Sequence, residues 1–236
     1  MKKLLPLLII LFILGLTTTV IYVTYKPSRL ILTYHSISET APNEYYDLFV
    51  RPGDFEAQMA AILENNIQTL FFGEKDAGLF ITFDDGYEDN YYNAFPIIKQ
   101  YGVKVTIFMI TSLIDTDGYL TSAQIREMSD SGLVSFGSHS HTHQNLTKID
   151  ESQLIEEFTT SKKTLERVTG KHVTVLSYPY GYYNNKVTKT ASDFFDYAVN
   201  TAGPNILNSL SGNMALPRII IPRNIEISKF INKCFP

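Results

Sequence analysis

The chain has 236 residues, 44% of them hydrophobic, and a formal net charge of −4. That balance excludes a basic footprint for nucleic acid. Cys234 is the single cysteine, which excludes an internal disulfide and a thiolate metal site.

The first element is apolar. Residues 4–23, LLPLLIILFILGLTTTVIYV, carry no charge and are long enough to cross a bilayer as one helix. Lys2 and Lys3 precede it and favour a cytoplasmic N-terminus. Residues 1–28 are therefore expected to be an uncleaved signal anchor, with residues 29–236 forming one domain on the far side of the membrane. The alternative is secretion after signal cleavage, for which GLTTTV offers a poor small-x-small site.

After the anchor, six short apolar runs read as buried strands: 29–35, 67–72, 78–84, 103–110, 133–139 and 172–178. Their continuous apolar character suits strands covered on both faces. Helical patterns lie between them. Residues 51–66 place Phe55, Met59 and Ile62 on one stripe, with Asp54 expected as the N-cap. Thr121 and Gln124 form the signature of a capping box, and Gly132 marks the stop. Residues 150–170 give a longer amphipathic helix closed by Gly170. Alternating strands and helices predict an α/β fold with a mostly parallel sheet, open or closed into a barrel. In both forms the chemistry gathers where strands end. TYHS, FDDG, SHSHTH and SYPYG each terminate an apolar run.

Adjacent carboxylates at Asp84 and Asp85 repel each other unless a cation or a shared proton compensates. With Gly86 they also suit a plain turn. His139, His141 and His143 recur at every second position. On a strand all three share a face; on a turn, His139 and His143 converge and His141 points away. Carboxylate and imidazole together suit zinc or a similar divalent ion, and three protein ligands leave an open position for catalysis.

TFDDG at 82–86, GSHSHTHQNL at 137–146 and YPYG at 178–181 resemble the motifs of the polysaccharide deacetylases, the NodB-like carbohydrate esterase family 4. The likeness spans roughly residues 30–200. It implies a distorted (β/α)7 barrel, here preceded by one N-terminal transmembrane helix. Carried over by position, Asp84 resembles the catalytic base, and Asp85, His139 and His143 resemble the metal ligands. Ser140 matches the hydroxyl residue that supports the ligand loop. The backbone N–H of Tyr180 resembles the oxyanion donor. The implied ion is one Zn2+, with Co2+ or Ni2+ as alternatives.

Hydrolysis of an acetamide also needs an acid for the leaving amine, most naturally a histidine. The family's usual C-terminal histidine has no counterpart here, since none follows His172. His172 itself opens a predicted strand, away from the strand tops. His35 ends the first strand and resembles the N-terminal acid of the circularly permuted poly-N-acetylglucosamine deacetylases, so it is expected to be the general acid. Two further departures matter. Ser177 stands where the family has an arginine that tethers the base, and the chain has no tryptophan for the acetyl pocket. Arg218, in ALPRIIIPR, resembles the subgroup's PRI segment and is expected to stand in beside Asp84. Leu216 is a candidate for the apolar wall around the acetyl methyl. Tyr45, Tyr46, Tyr87, Tyr178, Tyr182 and Tyr183 fall near strand ends, where rings could stack on sugars.

The resemblance thus implies a metal-dependent hydrolase that removes N-acetyl groups from an extracellular polysaccharide containing N-acetylglucosamine, anchored in the bacterial membrane. The alternatives are a deacetylase of peptidoglycan or of a wall-polysaccharide linkage unit, or a catalytically silent glycan-binding protein.

Overall fold

The computed structural model describes residues 29–74, 78–201 and 212–234. The anchor expected over residues 1–28 lies outside these. Among the described residues no helix is long and apolar enough to cross a membrane.

The strands in chain order are β1 (Arg29–Tyr34), β2 (Ser36–Ile37), β3 (Phe49–Val50), β4 (Thr69–Leu70) and β5 (Gly78–Phe83). They continue with β6 (Val105–Met109), β7 (Val134–Ser138), β8 (Val175–Ser177), β9 (Tyr197–Val199) and β10 (Ile219–Ile220). The α-helices are α1 (Pro52–Glu64), α2 (Phe95–Tyr101) and α3 (Ser122–Asp130). Then come α4 (Glu151–Thr169), α5 (Asn185–Ala191) and α6 (Ile227–Cys234).

The main sheet runs β10-β1-β5-β6-β7-β8-β9, with all neighbours parallel. Its two edges meet through one stretch of chain. Leu216 bridges Val199 in β9, and three residues later Ile219 pairs with Leu32 in β1. The ring so joined is a (β/α) barrel in which the seventh position is little more than this irregular crossing. β4 pairs with the start of β5, off the ring.

The caps explain the helix boundaries. α1 starts from Arg51 and not from the expected Asp54, because Pro52 fixes a helical φ at the first position. Asp54 falls in the first turn and accepts from Arg51 Nε at 2.7 Å. Thr121 and Gln124 form their capping box, Gly132 turns the chain at φ 72°, and Gly170 closes α4 in a left-handed conformation. The runs expected at 67–72 and 172–178 shorten to β4 and β8. The short parallel pair β2–β3 has no signal in the sequence.

Strand alternation divides the apolar side chains into two sets. Leu32, Ile81, Ile107, Phe136 and Leu176 join the large core shared with the helices. Ile31, Phe80, Phe108, Val175 and Val199 form a separate cluster with Leu70 and Phe72, on the inner face of the ring. Moving along the strands from this cluster, that face becomes polar. Thr33 and Thr82 come next, their hydroxyls 3.4 Å apart, followed by His35, Asp84, His139 and Ser177. Gly137 makes this packing possible, since a Cβ there would stand 2.6 Å from Phe108 and 2.7 Å from Val175.

Candidate active site

Asp84 leaves the end of β5 with its N–H donating to the Tyr34 carbonyl at 3.0 Å. Its carboxylate is buried and gripped from both sides by Arg218, Nη1 to Oδ1 at 2.8 Å and Nη2 to Oδ2 at 2.5 Å. Arg218 is itself buried, donates through Nε to the Asn200 carbonyl at 3.2 Å, and lies over the Phe108 ring at 5.5 Å. Ser177 donates to Asp84 Oδ2 at 3.2 Å and accepts from Arg218 Nη2 at 2.9 Å. The arginine thus reaches the carboxylate from the barrel's closing strand, while the residue at 177 fills the space between them. Burial pushes the Asp84 carboxyl up, but Arg218, with His139 and His35, outweighs it and holds the group below the usual carboxylate range.

Next to it, Asp85 takes a left-handed φ of 69°, unusual for a non-glycine residue. The turn directs its Oδ1 to 3.5 Å from His139 Nε2 and 3.7 Å from His143 Nε2. All three candidate ligand atoms lie within 4.8 Å of one another. Donors bound tetrahedrally to zinc at ordinary lengths are about 3.3–3.6 Å apart, so one carboxylate oxygen and two imidazole nitrogens fit a single divalent ion. His139 Nδ1 donates to the Ser177 carbonyl at 2.8 Å, which fixes the tautomer and leaves Nε2 free to ligate. Burial lowers the His139 pKa, but Asp84 and Asp85 raise it more, and the net shift is upward. His143 is brought down to about 4 by burial and by the neighbouring His139.

The histidine loop is a turn and not a strand, so His139 and His143 converge while His141 stands apart. Ser140 and His143 both have positive φ, and the His143 N–H donates to Ser140 Oγ at 3.0 Å. His141 faces away from the cluster, with Nδ1 2.9 Å from Thr111 Oγ1. Glu157 on α4 underpins the loop. Its buried carboxylate accepts from the His141 and Thr142 N–H groups at 2.7 and 2.9 Å and from the Thr142 hydroxyl at 2.5 Å. Glu157 escaped the sequence reading, although a charged residue between Leu154 and Ser161 on the buried stripe of α4 is a signal of such a role.

His35 is buried one residue past β1, close enough to Asp84 and Asp85 for both charges to act on it. Burial lowers its pKa and outweighs the two carboxylates, which pull the other way. Among the described residues its Nδ1 has no hydrogen-bond partner. Tyr180, at φ 59°, sets its ring 4.5 Å from that of His143 and is 57% exposed. Leu216 leans on the inner apolar cluster.

The tyrosines divide. Tyr45, Tyr46 and Tyr182 are exposed, and Tyr87 stacks on Tyr119 at 5.4 Å. Tyr178 is buried, donates to the Met214 carbonyl, and cannot meet a sugar; Tyr183 stacks on it. The burial follows from its place beside β8, where its side chain turns to the helical layer. His172 is on the surface, far more exposed than His35.

A family model described as polysaccharide deacetylase matches residues 73–199. The chain is 36% identical over 221 residues to YxkH of Bacillus subtilis, named as a polysaccharide deacetylase, covering 88% of this chain and 76% of that one. It is 28% identical over 231 residues to the poly-beta-1,6-N-acetyl-D-glucosamine N-deacetylase of Staphylococcus epidermidis, covering 83% and 80%. A crystal structure of a polysaccharide deacetylase from Bacillus cereus superposes with a TM-score of 0.79 at 30% identity, over 87% of this chain and 68% of that one. The Streptococcus pyogenes deacetylase PplD, in complex with acetate, also gives 0.79, at 26% identity, over 89% and 100%.

Proposed function

Since the chain belongs to the polysaccharide deacetylase family, and so hydrolyses N-acetyl amide bonds, we propose that it is a metal-dependent de-N-acetylase of an extracellular N-acetylglucosamine polysaccharide. One observation carries this reading. The buried Asp84 carboxylate, held ionised by Arg218, stands 3.9 Å from Nε2 of a histidine that also belongs to the Asp85–His139–His143 cluster. A base and an ion site then share one wall of the barrel mouth.

Asp85 Oδ1, His139 Nε2 and His143 Nε2 would hold the ion, zinc by its donor set, which when bound would polarise the acetyl carbonyl and make water a better nucleophile. Asp84 accepts the proton of the attacking water, and Arg218 keeps that carboxylate ionised and aimed. The Tyr180 N–H donates to the oxygen on which negative charge develops, a contact worth about 3 kcal/mol in such sites. His35 gives a proton to the nitrogen as the C–N bond breaks. Burial holds its pKa below the usual histidine value against the pull of Asp84 and Asp85, and the negative charge developing on the acetyl oxygen adds to that pull. Arg218 thus positions the base, while Asp84 and His35 are the groups that move protons.

The substrate assignment is supported by the Staphylococcus relatives, whose names specify a β-1,6-linked N-acetylglucosamine polymer. Location outside the membrane, with residues 1–28 as anchor and 29–236 as the deacetylase domain, is supported by the uncharged run at 4–23. The test is acetate release from β-1,6-linked N-acetylglucosamine oligomers and from peptidoglycan, by chelator-treated and zinc-reloaded protein. Zinc-dependent release from the β-1,6 oligomers is expected. Release that is indifferent to chelation, or confined to peptidoglycan, would overturn the metal or the substrate part respectively.

A further inference from the structure

The chain that follows Asp85 is built to hold the segment that carries His35. Residues Asn90–Ala94 form a single π-helical turn, a rare form often found at functional sites. Asn90 Nδ2 donates to the His35 carbonyl at 2.8 Å, and Asn93 Nδ2 donates to the Ile37 carbonyl at 2.7 Å. Asp89 accepts the Ile37 N–H at 3.1 Å and also the Ser36 hydroxyl. Together with the bond from the Asp84 N–H to Tyr34, these contacts fasten residues 34–37 to the same stretch that supplies Asp84 and Asp85.

Two features separate Asn90 from ordinary packing. Its amide is buried and its orientation is fixed, because the nitrogen faces two acceptors, the His35 carbonyl and Asp89 Oδ1 at 3.0 Å. Rotation would set oxygen against oxygen. Its own Oδ1 is buried without a partner among the described residues, which costs stability compared with an apolar residue of similar size. What the asparagine secures is the position of one carbonyl. Among the described residues Nδ1 of the His35 imidazole has no partner either, so no hydrogen bond at that nitrogen orients the ring, and the hold on the carbonyl bears on where it sits.

We propose that Asn90 is a positioning residue for His35, acting through the His35 carbonyl, with Asp89 fixing the Asn90 amide. This rests on the reading of His35 as the acid. In that step the C–N bond breaks, its electron pair stays on nitrogen, the nitrogen takes the imidazolium proton, and the acyl carbon leaves as acetate with the oxygen of water. An activated ester such as 4-nitrophenyl acetate releases a group that needs no proton, so it reports on everything except the acid.

The experiment compares wild type, Asn90→Leu, Asn90→Ala and His35→Ala on an N-acetylglucosamine oligomer and on 4-nitrophenyl acetate, with zinc affinity measured for each. Asn90→Leu removes the unpartnered oxygen and preserves volume, so it guards against simple unfolding of the alanine variant. The expected result is an amide kcat lowered about 10–100-fold, as misplacement of a reacting group by about 1 Å produces. KM, zinc affinity and ester turnover stay near wild type. Equal losses on both substrates, or lost zinc affinity, would make Asn90 merely structural and overturn the proposal. Selective amide loss in His35→Ala without any in Asn90→Leu would overturn it while leaving His35 as the acid. Equal losses on both substrates in His35→Ala would remove that underlying reading, and the proposal with it.

Discussion

Asp84 and Arg218 are 134 positions apart in sequence and meet as a buried two-pronged ion pair, at 2.8 and 2.5 Å. The pair ties β5 to the stretch that closes the barrel, so the orientation of the proposed base and the closure of the ring are one interaction. Neither residue is exposed to solvent that could screen the other.

Replacing Arg218 by methionine leaves that carboxylate buried with its main counter-charge gone. In the wild type the Asp84 pKa is lowered, so its contribution to stability is present above the ordinary value near 3.9 and is lost as pH falls through the folded value. In Arg218→Met, burial dominates and the pKa rises. The expected loss at neutral pH is about 3–5 kcal/mol by urea denaturation. The acid limb of kcat/KM moves to higher pH, because more of the base is protonated at any given acidity. An acid limb that stays in place would argue against Asp84 as the base.

The ligand cluster makes an ordered set of affinities. Asp85→Ala, His139→Ala and His143→Ala each remove a proposed donor and should abolish stoichiometric zinc binding. His141→Ala and Glu157→Ala disturb only the support of the loop, where losses of about 10–100-fold are typical. Glu157→Ala should be the worse of the two, since that carboxylate holds two N–H groups and a hydroxyl. Competition with a chromophoric chelator ranks them, and a His141→Ala loss equal to that of His139→Ala would make His141 a ligand.

Zinc uptake should strengthen as pH rises. A ligand must shed its proton before it binds, and Asp84 and Asp85, against the effect of burial, hold His139 protonated to higher pH than a free histidine. His143, brought down to about 4, is already neutral well below neutrality. The apparent zinc affinity should therefore climb through and above the ordinary histidine range near 6.5. Calorimetry at several pH values, corrected for buffer ionisation, should also register proton release; affinity flat between pH 6 and 8 would contradict this.

Gly137→Ala should destabilise by about 1–3 kcal/mol, the usual cost of overpacking a close-packed interior. The new methyl would press on Phe108, whose ring carries the Arg218 guanidinium. The melting temperature should fall, and catalysis should fall with it even where folding is complete. A variant with wild-type stability would mean that Phe108 can move aside freely.

Much of this was legible in the sequence because it is local. Capping at Thr121 and Gly170, the apolar runs of β1, β5, β6 and β7, and the polar residues at their ends are each set within a few positions. The grouping of Asp85 with His139 and His143 follows once parallel strands bring those ends together. What the sequence hid is non-local or very short. β2 and β3 are two-residue strands whose pairing depends on the chain between them, and the ring is closed by one isolated bridge at Leu216 and the two-residue pairing of Ile219 and Ile220 with β1. Asp54 was eclipsed as a cap by Pro52. Asn90 looks like a solvent-facing residue until its burial is seen, and Glu157, although its place on the apolar stripe of α4 marks it, holds groups that come from another segment.

The most direct test concerns the proton taken from water. Zinc-loaded Asp84→Asn, with its zinc content verified equal to that of the wild type, is assayed for acetate release from an N-acetylglucosamine oligomer. The expected result is a kcat lower by about 100-fold or more at unchanged zinc occupancy, as loss of a general base produces. A kcat within a few-fold of wild type would contradict the assignment of Asp84 as the base.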